Sequence, residues 1–171
     1  MKKLVLFGAL FAFIGMASYA QEAAEAVTDE DLQKYANVEV MTSNYVDGKT
    51  EELRNMILNN EVIDGGARYN EIKAAWGDDA KMAEANVTEE EKAAFQAVKD
   101  FQDALQGSVK EYKTELIMDS EVLGAGTYNK VLAATKADPA VKEKLDKMIA
   151  DMKAAQAAEK EGEGEGDDSD N

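Results

Sequence analysis

Apolar residues recur at spacings of three and four along most of the chain, the period of a helix with one buried face. Leu32, Tyr35, Val38, Met41 and Tyr45 form one stripe, and Leu53, Met56 and Ile57 a second. The longest runs through Phe95, Val98, Phe101, Leu105, Val109, Tyr112 and Leu116. Val141, Leu145, Met148 and Met152 close the set. Ala, Glu, Lys, Gln, Leu and Met, all good helix formers, dominate between these positions, and there is one proline, Pro139. The pattern predicts helices and no strands.

Helix starts are marked by capping residues. Thr28 is followed three residues later by Asp31, and Thr88 by Glu91, the spacing of a capping box. Val27 is placed to staple onto Leu32 across the first of these starts. Asp138-Pro139 reads as an N-cap followed by proline at the first helical position, where its missing N–H costs nothing. Stops or bends are expected at Asp47-Gly48, Gly65-Gly66, Gly77, Gly107 and the glycines at 124 and 126. For Gly107, a break and an uninterrupted helix are both open.

The chain also repeats itself. Val27-Thr28-Asp29-Glu30 matches Val87-Thr88-Glu89-Glu90 at an offset of sixty, and Tyr35 and Val38 then meet Phe95 and Val98. Glu61-Val62-Ile63 meets Glu121-Val122-Leu123. One residue is lost at the glycines, so Tyr69-Asn70-Glu71-Ile72 meets Tyr128-Asn129-Lys130-Val131 at fifty-nine, and Asp79 meets Asp138. The ordered match predicts two similar helical units, 27–85 and 87–145. The expected architecture is all-α: an antiparallel helical bundle built from these two units, spanning 28–153.

The flanks read differently. Lys2 and Lys3, an apolar run over 4–16, and Ala17-Ser18-Tyr19-Ala20 have the three parts of a Sec-type signal peptide at 1–20. Cleavage is expected after Ala20, which places the mature protein in the periplasm or outside the cell. A linker at 21–27 follows. Residues 154–171, with acids interleaved between Gly162, Gly164 and Gly166, are expected to form a disordered acidic tail.

Charge narrows the partners. The net charge is −16 at pH 7, and loss of Lys2 and Lys3 with the leader makes it more negative. Nucleic acid is disfavoured, because phosphate contacts need Lys and Arg, and so are anionic membrane surfaces. A protein or peptide partner with a basic face is the compatible class, and self-association is open. The chain has no histidine and no cysteine, which removes the commonest general base, zinc ligands and thiol nucleophiles. Ser43, Ser108, Ser120 and Ser169 lie in no nucleophile motif, and no glycine cluster is followed by the Lys-Ser/Thr of a phosphate loop. No catalytic, cofactor or metal-ligating residue is assigned, and no cofactor is expected.

Two segments resemble a known family. Residues 28–36, Thr-Asp-Glu-Asp-Leu-Gln-Lys-Tyr-Ala, resemble the opening of the bacterial domain-of-unknown-function family numbered 4168. Tyr128-Asn129-Lys130-Val131, with Ala134 and Asp138-Pro139-Ala140-Val141, resembles its closing motif. The bracketed region is longer than one such domain, as for two fused copies. The resemblance implies an exported helical protein of no established activity and supplies no catalytic residues.

The candidate ligand or partner site is the repeated pair Tyr69-Asn70 and Tyr128-Asn129, together with Trp76. Two readings are open: tyrosines packed in the core beside helix-start asparagines, or one pseudo-symmetric site lined by both pairs. The expected function is that of a non-enzymatic exported protein that binds a protein or peptide. A structural or stress-related envelope protein is the alternative, and a carboxylate-based glycoside hydrolase a remote third.

Overall fold

The two longest helices both start where a threonine and an acid exchange hydrogen bonds with each other's backbone. The computed structural model describes residues 26–164, and among them are six helices and no strand. The segment expected to be a signal peptide, 1–20, and residues 165–171 of the expected tail lie outside the described residues. α1 (Asp29–Leu58) and α4 (Glu89–Met118) are 30 residues each. α2 (Gly65–Ala75) and α3 (Asp79–Glu84) follow α1, and α5 (Ala125–Ala137) and α6 (Pro139–Gly164) follow α4. Thr28 Oγ1 accepts from the Asp31 N–H at 3.1 Å, and Asp31 Oδ2 accepts from the Thr28 N–H at 2.8 Å. Thr88 and Glu91 repeat both bonds at the head of α4. Three acids in each first turn add a favourable interaction with the helix dipole.

Neither long helix breaks at its internal glycine. α1 runs through the stop expected at Asp47-Gly48, and α4 runs through Gly107. An interior glycine costs about 1 kcal/mol, and packing on the flanks of Gly48 outweighs it. Tyr45 stacks on Tyr112 of α4 with ring centroids 4.3 Å apart, and the Lys49 ammonium lies within 6 Å of the Tyr45 and Phe101 rings. The α3 cap also shifts by one residue. Asp78, not Asp79, accepts from the backbone N–H groups of Ala80 and Lys81.

α1 is the central element, packed against α2, α4, α5 and α6. Glu39 meets Lys113 and Tyr45 meets Tyr112, while Lys49 lies over Phe101, so α4 runs antiparallel to α1. Asp31 meets Lys130 and Tyr35 meets Tyr128, so α5 is antiparallel to it as well. α6 departs from the expected antiparallel order. Asp29 pairs with Lys144 and Asn44 with Gln156, a rising register that makes α6 parallel to α1. The cause is the α5–α6 turn. Asp138 both ends α5 and caps α6, its Oδ1 accepting from the Ala140 N–H at 2.8 Å, so the chain reverses within one residue.

Burial along α1 follows from that position. Leu32, Ala36, Val38 and Val40 are all buried, so the apolar surface is wider than the single stripe expected. Thr42 is buried too, its hydroxyl donating to the Val38 carbonyl at 2.7 Å. Two clusters form the core. Ile63, Tyr69, Ile72, Phe95 and Val98 make one, against Leu53 and Ile57 near the C-terminal end of α1. Leu32, Ala36, Val131 and Leu145 make the other near its N-terminal end, with Val27 packed against it as the staple requires. Two turns each drive one apolar residue inward. Asn60 Oδ1 accepts from the N–H groups of Val62 and Ile63 and buries Ile63. Asp119 accepts from Glu121 N–H through its side chain and from Leu123 N–H through its carbonyl, and buries Leu123.

Helix α6 corrects the expectation that order ends at 153, because it continues to Gly164. Ala154, Ala155, Gln156, Ala157 and Ala158 are strong helix formers, and Asn44 Nδ2 donates to Gln156 Oε1 at 2.8 Å. Helical propensity and one tertiary bond carry the helix beyond its apolar stripe.

The capping acids also hold the short helices. Arg68 of α2 donates to Glu91 through Nε at 2.6 Å and Nη2 at 2.9 Å, and reaches the Ala85 and Asn86 carbonyls of the α3–α4 loop. Lys130 of α5 pairs with Asp31 at 2.9 Å. Replacing Arg68 by Ala leaves the buried Glu91 carboxylate without its fork, and urea denaturation is expected to show a loss of about 2–3 kcal/mol. Lys130, then the Thr28 N–H, holds Asp31 at about 2. Arg68, with the Thr88 N–H and against the cost of burial, holds Glu91 at about 2. Both lie below the unfolded carboxylate range of about 4. Their contribution is therefore complete above that range and is lost as pH falls through about 2. Urea midpoints are expected to drop steeply between those limits, and the Asp31→Asn/Glu91→Gln double variant to flatten the slope.

Candidate functional site

A groove with a volume of about 670 Å³ opens where α1, α5 and α6 meet. It exists because α6 lies parallel to α1 while the end of α5 carries only Thr135 and Lys136 between them. Its floor is apolar: the Tyr35 ring, Val46, Leu145 and Ile149. Tyr35 is held by its stack on Tyr128, with centroids 5.5 Å apart and planes within 11°. Leu145 belongs to the buried cluster beneath, so the floor is continuous with the core.

The rim is polar and net cationic. Glu39 and Asp146 are the carboxylates on it, and both are already paired. Lys113 of α4 donates to both oxygens of Glu39, at 2.7 and 2.8 Å, and Lys142 pairs with Asp146. Lys136 and Lys153 line the groove with no ion pair among the described residues. Burial, followed by the Glu39 carboxylate and the Tyr128 hydroxyl, pushes the Tyr35 phenol up to about 12. Tyr35 is thus a neutral donor throughout the physiological range. Among the described residues no group of three or more acids could hold a metal ion, and no helix there is long and apolar enough to cross a membrane.

The five residues singled out in the sequence do not form one site. Tyr69 is buried against Phe95, with centroids 5.1 Å apart, and its hydroxyl accepts from Gln102 Nε2 at 3.4 Å. Trp76 also packs on Phe95, with ring centroids 4.5 Å apart. Tyr128 belongs with Tyr35 at the other end of α1. Asn70 and Asn129 are exposed on their helices. The reading of one site lined by both pairs is therefore corrected: the tyrosines serve two separate ring stacks. The groove residues Thr135, Lys136 and Lys153 were not distinguished in the sequence. One signal was available, since the offset of fifty-nine sets Trp76 opposite Thr135, a large ring against a small hydroxyl.

No family model, curated protein or solved structure matches the chain.

The ring stacks give a stability test. Phe95→Ala is expected to cost about 3–4 kcal/mol and to shift the Trp76 emission to the red, because it empties the space shared with Tyr69 and Trp76. Asn70→Ala and Asn129→Ala, both on exposed faces, are expected to change stability by less than about 0.5 kcal/mol. Thermal melts followed by tryptophan fluorescence read both.

Proposed function

We propose that this is an exported, non-enzymatic binding protein whose working surface is the α1–α5–α6 groove. The observation that carries the reading is the groove itself: an apolar floor fixed by the core, under a rim holding two lysines without carboxylate partners among the described residues. Its volume falls within the range of small-ligand sites. The side chains around it offer hydroxyls, ammoniums and paired carboxylates, a set suited to holding a ligand. The sequence reading of a protein or peptide partner remains compatible with a groove open along one side.

The same reading includes a duplicated ancestry, which accounts for where the groove lies. Tyr35 of α1 stacks on Tyr128 of α5, and Phe95 of α4 packs on Tyr69 of α2, the pairing that exchange of two equal units produces. Val38 and Val98, Ile63 and Leu123, and Ile72 and Val131 are matched positions, and all six are buried. Asp31 and Glu91, also matched, each close a capping box and bind a cation from a short helix of the other unit. In the first-unit short helices, Trp76 fills the space beside Phe95. The corresponding place beside Tyr35 has Thr135, and there the groove opens.

Export is tested by fractionating cells that produce the full chain and sequencing the recovered N-terminus. A periplasmic or extracellular product beginning at Gln21 is expected. A product that retains Met1 and stays with the cytoplasm or membrane overturns this part of the reading.

A further inference from the structure

The groove has a polarity along its length that selects a class of ligand. Lys136, at the end of α5, and Lys142, at the start of α6, stand at the Tyr35 end, and Lys153 stands at the Val46 end. Lys142 and Lys153 are eleven residues apart on one helix, which is about 16 Å of helix rise. Between them the floor is apolar, and α1 closes the far wall with the small hydroxyls of Thr42 and Ser43.

Charge sets the two ends apart. At the Tyr35 end, Lys142 is engaged by Asp146 and Glu39 is neutralised by Lys113, which leaves Lys136 as the cation there without an ion pair among the described residues. At the other end Lys153 also borders a small adjoining cleft that contains Asp47, and that carboxylate offsets part of its field. The more positive end is therefore the one beside Tyr35, whose neutral phenol lies at its edge as a donor. A patch of this sign is a local exception on a chain of net charge −16, and it attracts anionic groups.

We propose, on the groove reading above, that the groove binds an amphipathic carboxylate: a linear aliphatic chain along the floor, with its carboxylate at Lys136. A chain of about twelve carbons, at ordinary C–C bond lengths, spans a similar distance to the floor. Burying methylenes against Tyr35, Leu145 and Ile149 supplies affinity, and the ammonium supplies the orientation. The chain's own acidic end is a poor occupant. Residues 165–171 consist of acids, glycine, serine and asparagine. Those residues carry no large apolar side chain for the floor.

Calorimetric titration of the mature full-length chain with dodecanoate tests the proposal, below the concentration at which that acid forms micelles. Saturable binding at one site is expected, with dodecanol at least tenfold weaker and acetate without measurable effect. Lys136→Glu, an exposed substitution, is expected to weaken dodecanoate by at least tenfold. Lys153→Glu is expected to weaken it less. Ser43→Trp, which fills the groove from α1, is expected to abolish binding, with circular dichroism showing that each variant keeps its helices. Equal binding of dodecanol and dodecanoate overturns the carboxylate assignment and leaves the groove reading standing. Binding that survives Ser43→Trp, or no binding of either probe, overturns both. Displacement of dodecanoate by a hexa-aspartate peptide assigns the groove to acidic peptides and overturns the aliphatic class.

Discussion

Two carboxylates, Asp31 and Glu91, carry the joint between local and tertiary structure in this protein. Each closes the first turn of a 30-residue helix, and each also accepts a cation from a short helix far away in sequence. A capping box alone is worth about 1 kcal/mol and fixes only where a helix begins. Adding the Arg68 fork or the Lys130 ammonium makes that helix start dependent on the docking of α2 or α5. The ring stacks lie one to two turns further along, Tyr35 on Tyr128 and Phe95 on Tyr69. Register set at the carboxylates is therefore read out as ring contact in the core. Without a cysteine anywhere in the chain, no covalent link shares this duty.

The helical class was legible because the two signals that specify it, apolar period and capping residues, are both local. Thr28, Thr88 and Asp138 cap where their spacing says they should. What local signals missed were competitions decided by distant contacts. Gly48 reads as a stop, yet Tyr45 and Lys49 are held by rings of α4, and the helix continues. Asp79 reads as a cap by alignment with Asp138, yet its neighbour Asp78 has the extended backbone and makes the bonds. Residues from 154 read as disordered on charge and glycine content, yet the alanines before Glu159 continue α6 as far as Gly164.

Direction was less legible than helicity. Short connections usually give antiparallel neighbours, and the chain follows that rule from α5 to α6 but not from α4 to α5, which both run antiparallel to α1. The single reversal at the α5–α6 turn is what lays α6 parallel to α1. Helix α1 thereby has neighbours around most of its circumference. This is why Ala36, Val40 and Thr42, which lie off its apparent stripe, are buried. A stripe read from sequence reports one face and cannot anticipate a second partner that arrives a hundred residues later.

The candidate site was illegible for a related reason. Sequence reading favours repeated large residues, and the Tyr-Asn pairs were conspicuous, but Tyr69 and Tyr128 each serve a ring stack. In the proposed duplication, function is better sought where the copies differ. The first copy places Trp76 beside its α4 ring, while the second places Thr135 and Lys136 near Tyr35 and extends its last helix from the 6 residues of α3 to the 26 of α6. Those two changes act on the same space: one removes the filling ring, and the other lays a new wall along α1. No cavity in the core need follow from either change, because the stacks beneath both places stay intact. The groove is thus an addition to a core that is complete without it, and its rim can vary without disturbing the carboxylate joints that hold the helices.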